Sequence, residues 1–328
     1  MNRPRSNALT GTSDARYRSP AEIELYAAMQ GPVAVAPELD DFLKRVFASK
    51  DVMERLTSPD DIADGIYNLY SESGAGGSRM SAKAVLQAAR ANWGTFAKTV
   101  PLKVQKDAFF QYTMVPGKGQ DGEDTEVNLM LTDPRLFSDD GLAMEAAQDF
   151  LYFPLNAGRA GCRVYLNVTF DSMPAVVKAV LELPDGNAGK VVDVKTTGPG
   201  SSRADSVVIY VKTIDDAKVI APVLLAAISK GTLRSTDQTT PAMTTRVGPA
   251  VAIGAEPKPQ ETGLGRPLPS GYPRGAQSFG SVRSQVICAA VLNYRENTGV
   301  LGSGYEVFKK LAAIGFKGYG LDPAAPGN

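Results

Sequence analysis

The period of the hydrophobic pattern changes once along this chain, close to Trp93. Before that point apolar residues recur at helical spacing; after it they alternate with polar ones, as on half-buried strands. Glu38 to Lys50 carries Leu39, Phe42, Leu43, Val46 and Phe47 on one helical face. Ser58-Pro59 followed by Asp60 and Asp61 supplies a cap, a proline in the first turn and acids at the positive end of the dipole. Ser81 to Asn92 gives a further helix. Beyond Trp93, Val100, Leu102 and Val104 alternate with Thr99, Lys103 and Gln105, and Val127, Leu129 and Leu131 form a similar series. Phe109 to Val115 reads as a strand between them, with a Gly-rich turn from Pro116 to Asp124. Asp139 to Leu151 and Ser172 to Leu183 read as helices, and Arg163 to Phe170, Lys190 to Thr196 and Ser206 to Val211 as strands. Asp215 to Lys230, Ser278 to Asn297 and Tyr305 to Ile314 complete the helical set. Blocks of strand mixed with blocks of helix predict an α+β fold: an antiparallel or mixed sheet with flanking helices and an N-terminal helical cap. The expected organisation is a disordered tail over 1–19, a helical cap over 20–92 and an α+β core over 93–328, with a mobile Gly- and Pro-rich loop at 256–277.

The 328 residues include no histidine. That excludes a Ser-His-Asp triad, a Cys-His pair and His-ligated zinc. Proton transfers must then run through Lys, Tyr, Asp, Glu or Cys with shifted pKa values. Lysine plus arginine and aspartate plus glutamate are 35 each, so charge gives no general case for nucleic acid or an acidic membrane surface. Cys162 and Cys288 stand far apart without CxxC spacing and read as buried free thiols. No apolar run approaches the ~20 residues that span a bilayer, and the polar start lacks the apolar core of a secretion signal. A cytoplasmic location without metal or cofactor is the expectation. P-loop and kinase catalytic-loop motifs are missing, so the chain is not expected to be a kinase itself.

Several strands carry functional groups on one face. RVYLNV sets Val164, Leu166 and Val168 on one side and Arg163, Tyr165 and Asn167 on the other. KVVDVKTT sets Asp193 and Lys195 together, and Lys103 stands opposite Val100, Leu102 and Val104. Two explanations fit: a solvated face of an antiparallel sheet, or a cationic cleft. RADSVVIYV places Arg203 and Asp205 ahead of a strand, where a surface ion pair is the simpler reading. SFGSVRSQV opens a helix with Ser278 as cap, Gly280 near its start and Arg283 in the second turn, a pattern compatible with anion binding.

The segments RVYLNV, VVDVK…RADSVVIYV, TTPAMTTRVGPAVAIGAEP and SFGSVRSQVICAAVL, in this order, resemble those of the HopA-type effector family between about Trp93 and Leu311. The resemblance implies a phosphothreonine/phosphoserine lyase of the kind found in class V lanthipeptide and thioamide-peptide biosynthesis. Its substrate would be a precursor peptide phosphorylated by a separate Ser/Thr kinase, and its product a dehydroalanine or dehydrobutyrine. β-Elimination needs a base for the Cα proton, donors for charge on the amide carbonyl and cations for the departing phosphate. On that reading Lys195 is the first candidate base and Lys103 the second, with Tyr165 as a donor. Arg163, Arg203, Arg246 and Arg283 would clamp phosphate with Ser278 and Gly280, while Asp205 and Asp193 orient the cations. The chain departs from the effector-type lyases in lacking their histidine acid; the position before the SFG-motif arginine is Val282. Two alternatives stay open: a scaffold that binds phosphopeptide or leader without turnover, and an effector that binds a host protein.

Overall fold

Strict alternation along the central strands sends side chains into two different helical layers. The computed structural model describes residues 29, 31–71, 80, 82–94, 96, 102–104, 112–118, 124–130, 144–147, 150–256 (except 159, 202 and 236) and 279–327. Three helices come first: α1 (Pro37–Ala48), α2 (Pro59–Ser71) and α3 (Ala82–Asn92), with a wide helical turn at Asp51–Arg55 between the first two. Strands β1 (Leu102–Val104), β2 (Tyr112–Lys118), β3 (Asp124–Met130), β4 (Met144–Ala147), β5 (Phe150–Pro154) and β6 (Cys162–Leu166) follow. Then come α4 (Met173–Leu181), β7 (Val191–Thr197), β8 (Val207–Val211), α5 (Ile214–Ser229), β9 (Thr245–Gly248), β10 (Val251–Ala255), α6 (Phe279–Leu301) and α7 (Tyr305–Gly318). Eight strands form one sheet in the order β1-β4-β5-β7-β8-β6-β10-β9, and β2 and β3 form a separate ribbon. Within the sheet β1 and β4 run parallel; every other pair is antiparallel. The expected α+β architecture is therefore the one observed.

Odd and even positions separate cleanly. Val164, Leu166, Val194, Val207, Ile209 and Ile253 enter a core with α3, α4 and α5. Tyr165, Val208 and Ala252, one position along, enter a second core with α1, α2, α6 and α7. The sheet is thus covered on both faces, and the first helices divide: α1 and α2 lie over one face and α3 over the other.

Strands β9 and β10 are additional to the sequence reading, and two of its expected elements take another form. Within the helix expected over 139–151, the described residues are strand: Met144–Ala147 and Phe150–Pro154 pair Glu145 to Tyr152 and Ala147 to Phe150. Alanine, methionine and glutamate favour a helix in isolation, but burial of Leu151 and Phe153 in the core beneath the sheet decides the matter. The turn expected from Pro116 begins later, because Pro116, Gly117 and Lys118 pair with Glu126, Thr125 and Asp124. The expected tail over 1–19, Ser278 and the loop residues 257–277 lie outside the described residues.

The second core closes on a glycine. A β-carbon on Gly254 would stand 2.5 Å from the Phe279 ring, so α6 reaches the sheet only because β10 has no side chain there. Gly254→Ala is expected to lower stability by about 1–3 kcal/mol through overpacking, read as a reduced urea midpoint with an unchanged m-value.

Candidate functional site

Strand register places the candidate residues in two transverse rows on the face beneath α2 and α6. The first row runs Lys103, Glu145, Tyr152, Lys195, Val208, Tyr165, Ala252 and Arg246, one residue from each successive strand. The second runs Pro154, Asp193, Tyr210, Arg163 and Gly254. Because side chains two apart along a strand share a face, Lys195 and Asp193 are neighbours, as are Tyr165 and Arg163. The face is covered at Tyr165, Val208 and Ala252 and half-buried at Tyr152, Asp193, Lys195 and Tyr210, and its charges are interleaved with aromatic rings.

Lys195 and Arg203 flank one ring. The Lys195 Nζ stands 3.3 Å from the Phe150 ring centroid and 5.6 Å from that of Tyr152. The Arg203 guanidinium stands 5.6 Å from the Phe150 centroid on its own approach. Arg203 also donates from Nε and Nη2 to the two carboxylate oxygens of Asp205, at 2.8 and 2.9 Å. This is a bidentate pair with both partners largely buried, not the surface pair that its spacing suggested. Burial opposes the Arg203 charge, but Asp205, with Tyr67 from α2, outweighs it and holds the guanidinium firmly protonated.

Arg163 lies 4.8 Å over the Tyr210 ring and donates to the Glu256 carboxylate. Burial again opposes its charge, while Tyr210, Tyr165 and Glu256 outweigh that cost. Tyr165 is buried, with its ring edge-on to Phe279 at 5.8 Å, and its hydroxyl has no hydrogen-bond partner of normal geometry. Burial drives its pKa far up, Arg163 moderates the effect, and Tyr70 is the neighbouring hydroxyl coupled to it. A tyrosine in this state stays protonated at any physiological pH, a hydrogen-bond donor that holds on to its proton.

The remaining residues are placed differently. Arg283 is fully buried, stacks 3.5 Å over the Phe279 ring and donates only to backbone carbonyls; burial pulls its pKa down to about 10. It does not face solvent where a ligand would enter. Arg246 lies on the edge strand, exposed, and donates to the carbonyls of Gly248 and Gln238. Gly280 sits in the first turn of α6 against the Tyr70 ring, which positions that ring rather than leaving an open anion seat. Lys103 holds the far end of the first row, in β1. Asn167 is structural, donating to Asp237 at 2.6 Å and to the Thr239 hydroxyl at 2.9 Å. The two cysteines are free and buried, and burial pushes both thiols up to about 12, which makes them unreactive.

Sequence reasoning missed Tyr210, Glu256, Phe150, Tyr152, Tyr67 and Tyr70. Period-two alternation along RADSVVIYV was sufficient to find Tyr210, which shares a face with Val208. Glu256 pairs across 93 residues, and Tyr67 and Tyr70 arrive from a separate helix, so no local pattern marks them. No group of three or more Cys, Asp or Glu suited to a metal ion occurs among the described residues. Nor is any described helix long and apolar enough to cross a membrane.

A family model described as the HopA1 effector protein family matches residues 145–327, which carry most of both rows. Among solved structures, the effector protein from Pseudomonas syringae pv. syringae strain 61 is 16% identical, covering 93% of this chain and 97% of that one with a TM-score of 0.46. The effector protein from P. syringae pv. tomato strain DC3000 is 15% identical, covering 94% and 98% with a TM-score of 0.46. The VirA phosphothreonine lyase effector of Chromobacterium violaceum is 12% identical, covering 62% of this chain and 99% of that one with a TM-score of 0.27. No curated protein matches the sequence.

Asp193 offers a direct check on the electrostatics of the face. One of its carboxylate oxygens is buried without a partner, and burial raises its pKa to about 6. A carboxyl whose folded pKa exceeds its unfolded value binds more protons when folded, so stability falls as pH rises from about 4 to about 6. Asp193→Asn is therefore expected to stabilise the fold by about 1–2 kcal/mol at pH 8 and to change nothing at pH 4. Thermal unfolding of both proteins across that range measures the difference.

Proposed function

Because the chain belongs to the HopA1 effector protein family, we propose that this covered sheet face is the active site of a phosphopeptide lyase. The observation that carries the reading is the pair of cations, Lys195 and Arg203, on the Phe150 ring, in a row that continues to the unpartnered Tyr165 hydroxyl. An amine, a guanidinium and a protonated phenol are the three kinds of group that β-elimination from a phosphorylated residue requires. Lys195, having first released its own proton to solvent, takes the Cα proton as a neutral amine. The electron pair of that C–H bond becomes the second bond between Cα and Cβ, the Cβ–O bond breaks, and phosphate leaves with its electrons. Tyr165 donates a hydrogen bond to the substrate carbonyl or the departing oxygen, the task that a histidine would otherwise perform. Arg203 and Arg163 receive the phosphate.

The substrate class proposed is a precursor peptide phosphorylated on serine or threonine by a separate kinase, and the product is the dehydroamino acid. One observation favours a second reading, binding without turnover: Arg163 and Arg203 already hold Glu256 and Asp205, so phosphate must compete with carboxylates for both.

Mass spectrometry of a phosphorylated peptide separates the two. The wild-type protein is expected to remove one phosphoric acid per site. Lys195→Ala is expected to keep binding within about threefold while elimination falls at least about 100-fold, the usual weight of a general base. Equal turnover by both proteins removes Lys195 as the base; tight binding with no loss from either leaves the scaffold reading.

A further inference from the structure

Arg283 heads the fully buried side chains in size, and among the described residues no carboxylate lies within ion-pairing distance of it. Its Nε and Nη2 converge on one oxygen, the Pro326 carbonyl, at 2.8 and 2.6 Å, and its Nη1 reaches the Phe279 carbonyl at 3.3 Å. A guanidinium taken out of water against neutral carbonyls alone loses hydration without gaining an opposite charge. Arg163 and Arg203, at the same depth, each have a carboxylate. The fork formed by Nε and Nη2 is the one that binds an oxyanion most strongly. The Tyr165 ring meets the same Phe279 ring edge-on, and its hydroxyl is buried without a hydrogen-bond partner of normal geometry. Two strong donors are thus packed about one ring, and no carboxylate pairs with either among the described residues.

We propose that Arg283 and Tyr165 form an occluded oxyanion pocket that takes phosphate, free or as a monoester, and that segment 322–327 closes it by setting the Pro326 carbonyl where a phosphate oxygen would bind. The inference rests on the phosphopeptide reading above and adds regulation of that same site. Pro323, Pro326 and Gly327 are buried, and among the described residues the segment's backbone is tied to the rest of the fold by the Arg283 fork, by the Ala36 N–H donating to the Pro323 carbonyl at 2.8 Å, and by the Ala255 N–H donating to the Gly327 carbonyl at 2.6 Å. Its seat depends on a missing side chain, since a β-carbon on Gly327 would run into the backbone nitrogen of Thr245. Withdrawal of the segment frees the fork of Arg283 and leaves the ion pairs of Arg163 and Arg203 intact. The site then gains a cation without having to break a carboxylate pair.

The segment can be unseated by Gly327→Val. A site that is closed most of the time binds with an affinity reduced by its open fraction, so unseating should tighten binding of inorganic phosphate by about tenfold or more. The gain should be shared by a phosphothreonine peptide and should vanish in the Gly327→Val, Arg283→Met double variant. Unchanged phosphate affinity in Gly327→Val, or a gain that survives loss of Arg283, overturns the proposal. Hydrogen exchange on the unaltered protein gives an arm that does not depend on the variants folding. Saturating phosphate should speed exchange at the Ala36 and Ala255 amides, which report on the segment directly, and unchanged exchange at both counts against it. Failure of the lyase reading looks different: segment-dependent phosphate binding persists, but no dehydroamino acid appears.

Discussion

Covering the sheet on both faces is the constraint from which the rest follows. Strands β6, β7 and β8 must feed one core with Val164, Val194 and Ile209 and another with Tyr165 and Val208. Once α2 and α6 lie over the second face, its charged residues lose water and must find partners within the protein. That is why Arg163 stands against Glu256 and Tyr210, and Arg203 against Asp205. Buried ion pairs of this kind are a weak source of stability, since apolar residues of similar volume often serve the fold as well or better. Retaining several of them on one face, under a layer of tyrosines, is costly for a scaffold and useful for a site.

The aromatic residues decide how those charges behave. The Phe150 ring attracts both Lys195 and Arg203, which offsets part of the repulsion between two cations on one face. Tyr165 and Tyr70 are buried deeply enough to remain protonated. A histidine changes charge near neutral pH; these phenols do not. The site is therefore built for donation that does not vary over the physiological range, and Asp193, with a pKa near 6, is the group on this face that does vary.

Much of this face was legible in the sequence because alternation is a local property. It put Arg163 with Tyr165 and Asp193 with Lys195, and the strands bear this out. What alternation could not supply was cover. A polar strand face reads alike whether water or a helix lies above it, so a bidentate buried pair at Arg203 passed for a surface contact. The stretch around Met144 to Phe153 failed for a related reason. Its composition favours a helix, and only pairing with β7, Tyr152 beside Lys195 and Phe150 beside Thr197, makes it strand. Arg283 shows the limit most plainly: its place in the second turn of α6 suggested an open anion site, and its actual partner, Pro326, lies 43 residues away.

Charge balance ties the site to its proposed ligand. On the described part of the face Glu256 stands against Arg163 and Asp205 against Arg203, whereas Arg283 donates only to neutral carbonyls. A phosphate monoester, at about −1.5 to −2 near neutral pH, would bring Arg283 the opposite charge it lacks. Lys195 is seated on rings at the centre of the sheet, whereas Arg283 is sealed behind a neutral carbonyl. An oxyanion that took the place of that carbonyl would neutralise Arg283 without breaking the carboxylate pairs of Arg163 and Arg203.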